Sequence, residues 1–150
     1  MRKIVSVFLL ATVALAGVLS ATPPPLPVLG QPLPAIAGQA LTGRRQLEQA
    51  GVSVRQYQTP RGVTLRAYAS ANGVVFGMAW QGPVPPDLES LLANNYAAYR
   101  KAASEQRHRG PVTIAAGNLV VQLSGHMRNL RGRAFLTDKI PAQLSAAVVR

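Results

Sequence analysis

The chain has 150 residues, no cysteine, and sixteen lysines and arginines against five acidic residues, a net charge of +11 with histidine neutral. Without cysteine there is no disulfide framework, no thiol nucleophile and no thiolate metal site. So few carboxylates supply little for paired-acid catalysis, or for calcium and magnesium, which need clustered oxygen ligands.

The first residues read as an export signal. Arg2 and Lys3 precede an apolar run over residues 4–19, and the small residues Ser20 and Ala21 offer a cleavage zone. A signal peptide over residues 1–21 is predicted, cut after Ala21, with a cut after Ser20 as the close alternative. The competing reading is an uncleaved anchor, because the run approaches the ~20 apolar residues of a membrane span. Cleavage removes two of the sixteen basic residues and leaves a net charge of +9. The predicted location is therefore exported, periplasmic or extracellular, with no membrane span after cleavage. Residues 22–43 are proline-rich, a composition that favours extended polyproline-like backbone. They are predicted as a tether ahead of a single domain over residues 44–150. Leu41, Leu47 and Ala50 suit a short helix ended by Gly51.

From Val52 the pattern becomes β. A strand over residues 52–58 meets the turn Thr59-Pro60-Arg61-Gly62, with proline pre-set at its second position. Strands over 63–71 and 74–81 flank Asn72-Gly73, a strong hairpin signal. A two-residue loop pairs Ala71 with Val74, Ala69 with Phe76, Ala67 with Met78 and Leu65 with Trp80, all on one apolar face. The other face pairs Tyr68 with Gly77, Arg66 with Ala79 and Thr64 with Gln81.

Gly82-Pro83 and the prolines that follow force a corner. Asp87 is the predicted N-cap of a helix whose apolar stripe is Leu88, Leu91, Leu92, Tyr96, Tyr99 and Ala103, ending between Ser104 and Arg107. A second hairpin joins 112–116 to 119–124 through Gly117-Asn118, pairing Val112 with Leu123, Ile114 with Val121 and Thr113 with Gln122. A last strand is predicted over 133–137, followed by a weakly apolar tail from Ile140. The order of elements predicts an α+β fold: an antiparallel sheet of two or more hairpins packed against one amphipathic helix. The alternative is a small β-barrel capped by the helix.

Asn72, Gly73, Trp80, Gly82, Pro83 and Asp87 are read as structural. Trp80 falls on the apolar face, where it serves as a core anchor. His108 and His126 are the only histidines, and neither has a second ligand at metal spacing, so no metal or cofactor is predicted. Ser124 and His126 are weak catalytic candidates, with Asp87 or Asp138 as the third group of a triad. The arginines Arg107 and Arg109, flanking His108, and Arg128, Arg131 and Arg133 are candidates for anion binding. Guanidinium groups pair with carboxylate and phosphate in a bidentate way. Few aromatics interleave with them, so base stacking and specific nucleic-acid recognition are not signalled.

Several short motifs carry a resemblance. Leu65-Arg66-x-Tyr68, Asn72-Gly73-x-Val75-Phe76, Ala79-Trp80-Gln81-Gly82-Pro83 and Pro86-Asp87-Leu88 with Leu91-Leu92 are followed by Gly125-His126-Met127 and Gly132-Arg133-Ala134. Over residues 56–141 the chain resembles a family of exported proteobacterial proteins, domain of unknown function 2844. Met78 and the proline-rich segment depart from that pattern. The resemblance implies export and a single domain, and it implies no activity.

These features together predict an exported non-catalytic binding or accessory module of the cell envelope. Its partner would be an envelope protein or an anionic envelope polymer met through the arginines. A small secreted hydrolase using His126, and a structural or assembly protein displayed on a proline-rich tether, are the alternatives.

Overall fold

Alternating apolar and polar residues between glycine turns build an antiparallel sheet, because successive side chains point to opposite faces. The computed structural model describes residues 25–35, 39–40, 50–106 and 110–150 of the chain. Its strands are β1 (Gln39–Ala40), β2 (Ser53–Gln58), β3 (Thr64–Ala69), β4 (Val75–Gly82), β5 (Val112–Ala116), β6 (Leu119–His126) and β7 (Asn129–Leu136). They form one sheet in the order β1-β2-β3-β4-β7-β6-β5, and every pair is antiparallel. The predicted α+β class holds. The barrel alternative does not, because β1 and β5 stand at opposite edges of an open sheet. Two meanders, β2-β3-β4 and β5-β6-β7, meet at the β4–β7 pair.

The first hairpin keeps most of its predicted register: Leu65 faces Trp80, Ala67 faces Met78 and Tyr68 faces Gly77. It departs at the turn, where Ala69 pairs with Val75 rather than with Phe76. A two-residue type I′ loop needs positive φ at both central residues, and here only Gly73 has it, at 76°. The chain instead closes a longer turn, with the Gly73 N–H donating to the Ser70 carbonyl at 2.8 Å and the Ser70 N–H to the Val74 carbonyl at 2.9 Å. The resulting bulge moves Phe76 off the helix side of the sheet, where it meets Tyr68 at a ring-centroid distance of 6.4 Å. The second hairpin has its predicted register throughout, from Val112 opposite Leu123 to Ala116 opposite Leu119. Gly117, at φ 61°, supplies the single positive φ that a type II′ turn requires.

The last strand begins four residues before the predicted start at Arg133 and pairs His126 with Asn129 across Met127-Arg128. Gly132 looks like a strand breaker in the sequence. It is needed because the Trp80 indole lies over it, and a Cβ there would come within 2.8 Å of the indole nitrogen.

The helical segment 88–104 runs as α1 (Leu88–Leu92), a 3₁₀ turn (Ala93–Asn95) and α2 (Tyr96–Ser104). Asp87 caps it, accepting from the N–H groups of Glu89 at 3.2 Å and Ser90 at 3.4 Å and from the Ser90 hydroxyl. Leu91 and Leu92 are buried, and Leu88, Tyr96, Tyr99 and Ala103 pack against the same core. That core holds Leu65, Ala67, Met78, Trp80, Val121 and Ala134 from the sheet.

The segment predicted as a tether is in part docked onto the domain. Leu29 is buried in the helix-side core, with Leu26 and Leu33 packed beside it. Polyproline-like backbone turns every three residues, which sets Leu26 and Leu29 on one face. Its polar groups are paired as well. The Leu29 N–H donates to the Leu91 carbonyl at 2.9 Å, beside the break between α1 and α2, and the Gly30 N–H donates to Val75 at 2.8 Å. Gln39 and Ala40, predicted within the tether, form β1. The predicted signal peptide, the helix-forming positions Leu41 and Leu47, and Arg107, His108 and Arg109 lie outside the described residues.

The second face of the sheet is covered by residues 140–150. Ile140, Leu144, Ala146, Val148 and Val149 pack over Val54, Tyr68, Phe76 and Phe135. Val149 is fully buried against Gly77, where a Cβ would come within 2.5 Å of its Cγ2. The Tyr68 hydroxyl accepts from the Arg150 N–H at 3.1 Å and donates to the Arg150 carbonyl.

Two tests follow from this packing. Gly77→Ala should destabilise the fold by about 1–3 kcal/mol in urea unfolding, the usual range for overpacking. Combined with Val149→Ala it should lose less than the sum of the two single changes, and strict additivity would refute the contact. Asp87→Ala should cost about 1 kcal/mol at neutral pH. The Ser90 hydroxyl and then the capping N–H groups hold the Asp87 carboxyl below its ordinary value. Its stabilisation is therefore complete above the ordinary carboxylate range and fades as pH falls through the lowered value. Wild type and variant should converge there, as read by unfolding at neutral and acid pH.

Candidate functional site: an arginine-lined trough

On the face away from the helix, the ladders align side chains in rows across the strands. One row, Val54, Tyr68, Gly77, Phe135 and Val120, is apolar and lies beneath residues 140–150. The next reads Gln56, Arg66, Ala79, Arg133, Gln122 and Thr113. The third reads Gln58, Thr64, Gln81, Arg131 and Ser124. The first polar row is half-buried at the margin of the covering segment and the second is mostly exposed, and together they floor a trough of about 1110 Å³ with Arg150 at its edge. No aspartate or glutamate is among the described residues that line it. Four arginines, Arg66, Arg131, Arg133 and Arg150, therefore line one concave surface with no aspartate or glutamate among the described residues there.

Arg66 and Arg133 are held in matching ways on either side of Ala79. The Arg133 Nε–H donates to Gln122 Oε1 at 2.6 Å, and its Nη1 donates to the Val149 carbonyl at 3.1 Å and the Ala146 carbonyl at 3.4 Å. Its guanidinium also sits 5.8 Å from the centroid of the Phe135 ring. Arg66 makes a long bond from Nε to Gln56 Oε1 at 3.5 Å and donates from Nη1 to the Arg150 carbonyl at 3.2 Å. Each guanidinium is thus braced by a glutamine on a neighbouring strand and by the backbone of the covering segment. Among the described residues neither Nη2 has a protein partner. Ladder geometry puts the two backbones roughly 10 Å apart, two inter-strand spacings. Ala79 lies between them, buried at the margin of the core beneath the covering segment. Arg131, one row below, makes no side-chain hydrogen bond among the described residues, and Gln81 donates to Asn129 at 3.1 Å.

This arrangement brings Arg131 and Arg133 together and adds Arg66 and Arg150. Arg128 stands at the exposed tip of the β6–β7 hairpin at φ 66°, beside Met127, and does not line the trough. Arg66 was visible in the sequence as a polar-face residue opposite Ala79. Its relation to Arg133 was not, because it depends on β7 pairing with β4 across a separation of about fifty residues.

The catalytic candidates are not assembled. Ser124 and His126 are exposed, and among the described residues neither side chain has a hydrogen-bond partner. Asp87 is engaged in capping on the helix side of the sheet. Asp138 accepts from Asn118 at 2.9 Å, at the far end of β6 from His126. Among the described residues no group of three histidine, aspartate or glutamate side chains is placed to hold a metal, and no helix is long and apolar enough to cross a membrane. With no bonds to lose, His126→Ala should change stability by less than about 0.5 kcal/mol, checked by denaturant unfolding. A larger loss would reveal a structural role.

No curated protein and no solved structure matches this chain. Residues 27–149 match the family described as protein of unknown function DUF2844, a span that takes in the docked proline-rich segment, both meanders, the helix and the covering segment. The chain therefore belongs to the DUF2844 family.

Proposed function

We propose that the protein is an exported, non-catalytic binding or accessory module of the cell envelope that takes an anionic partner in the trough. The observation that carries this reading is the set of four arginines on one concave face with no aspartate or glutamate among the described residues that line it. Like charges held together raise the local potential, and an anion relieves it. Two of the guanidiniums are already fixed by hydrogen bonds, so less side-chain freedom is lost on binding. Export is supported by Arg2 and Lys3, the apolar run that follows and the small residues at Ser20 and Ala21.

The test compares two single-charge losses. Arg131→Gln removes a trough guanidinium that makes no hydrogen bond within the fold, and Arg100→Gln removes an exposed charge from α2. Retention of the tagged protein on an anionic matrix at physiological salt should fall about fivefold for Arg131→Gln, the equivalent of ~1 kcal/mol. It should be nearly unchanged for Arg100→Gln. Equal losses would show that net charge alone is responsible and that the trough has no special part.

A further inference from the structure

Resting on that reading, we infer that the trough ligand is an acidic polysaccharide laid across the strands, its acid groups met by Arg131 and by the free Nη2 of Arg133. Three features of the floor select this class.

The first is how the floor recognises. Its backbone N–H and C=O groups are consumed by the ladders joining β3, β4, β7 and β6. A peptide adding to a sheet uses main-chain groups at a free edge, and the middle of this sheet has none to give. Over these interior strands recognition is by side chains.

The second is the chemistry of those side chains. Thr64, Gln81, Gln122 and Ser124 intermix hydroxyls and amides with the guanidiniums in the two rows. Amides and hydroxyls both donate and accept, which suits a ligand dense in hydroxyls. The guanidiniums require acid groups at intervals. A polymer of sugar acids carries both. A nucleic acid would need aromatic platforms for its bases, and the one aromatic residue lining the trough, Trp80, is 5 % exposed with its side chain in the helix-side core.

The third is shape. The trough is larger than the ≈ 300–1,000 Å³ of usual small-molecule sites, and it is open, so it accommodates several units of a chain. Arg131 and Arg133 stand two positions apart on the same face of β7, at the open side of the trough.

The experiment measures binding of the full chain to polygalacturonate and to heparin, a carboxylate and a sulfate polymer. Dextran, poly-L-glutamate and oligo-dT serve as comparisons at equal mass and salt. Binding to one or both acidic glycans is expected, at least tenfold tighter than to polyglutamate or oligo-dT, with none to dextran. Arg131→Gln should weaken glycan binding about fivefold. Gln81→Ala, which alters an exposed side chain and leaves the ladder intact, should weaken it about threefold while the melting temperature is kept.

Equal binding of glycan, polyglutamate and oligo-dT would overturn the glycan inference while leaving the anion-binding reading. Tight glycan binding untouched by both substitutions would overturn the placement in the trough. Binding to none of the polyanions would overturn the inference and the reading beneath it together.

Discussion

The pairing of β4 with β7 is the constraint on which the rest of the molecule depends. Each meander on its own is local, built from hairpins that their turns specify. When β7 docks along β4, Met78 meets Ala134 and Trp80 lies over Gly132 on one face, while Ala79 meets Arg133 and Gln81 meets Arg131 on the other. A slip of one residue would put Arg133 into the helix-side core and Ala134 into the trough. The cost of burying an unpaired guanidinium forbids it. The apolar packing under the helix therefore sets the positions of the arginines above it.

Residues 140–150 have two physical roles that are coupled through the same atoms. Their apolar side chains remove Tyr68, Phe76 and Phe135 from water. Their carbonyls accept from Arg66 and Arg133 and so orient the guanidiniums toward the open part of the face. Gly77 permits this close approach because it has no side chain in the way of Val149. The boundary between the covered apolar row and the open polar rows falls where the sequence changes from Tyr68, Gly77 and Phe135 to Arg66, Ala79 and Arg133. Hydrophobic burial pulls the segment over the first row. The hydration of charge keeps the second row at the surface.

The local elements were legible in the sequence where one residue alone satisfies the geometry. Gly117 meets the single positive φ of a type II′ turn, and the second hairpin has the register its pattern predicts. Asn72-Gly73 promised a tighter turn than forms, since Asn72 stays in the ordinary region and the bulge carries Phe76 to the other core. The β6–β7 hairpin went unread because Arg128, not a glycine, takes its positive φ, and because Gly132 resembles a breaker until Trp80 is placed over it. The proline-rich segment reads as a linker by composition, and the leucines at positions 26, 29 and 33 instead tie it to the core.

By itself the sequence determined the strands β2 to β6, part of β7, most of the register of the two hairpins it predicted, the capped helix and the α+β class, because these rest on periodicity and turn chemistry within a few residues. It also marked Arg131 and Arg133 as neighbours. Only the tertiary structure decided that Arg66 stands across Ala79 from Arg133, that the segment after β7 covers the apolar row of the second face, and that the open remainder is an arginine-lined trough whose described lining has no aspartate or glutamate. Those outcomes depend on contacts between residues fifty to eighty positions apart, such as Ala79 with Arg133 and Tyr68 with Arg150. Such contacts are chosen by which packing buries the most apolar surface without burying charge, and no local pattern encodes that choice.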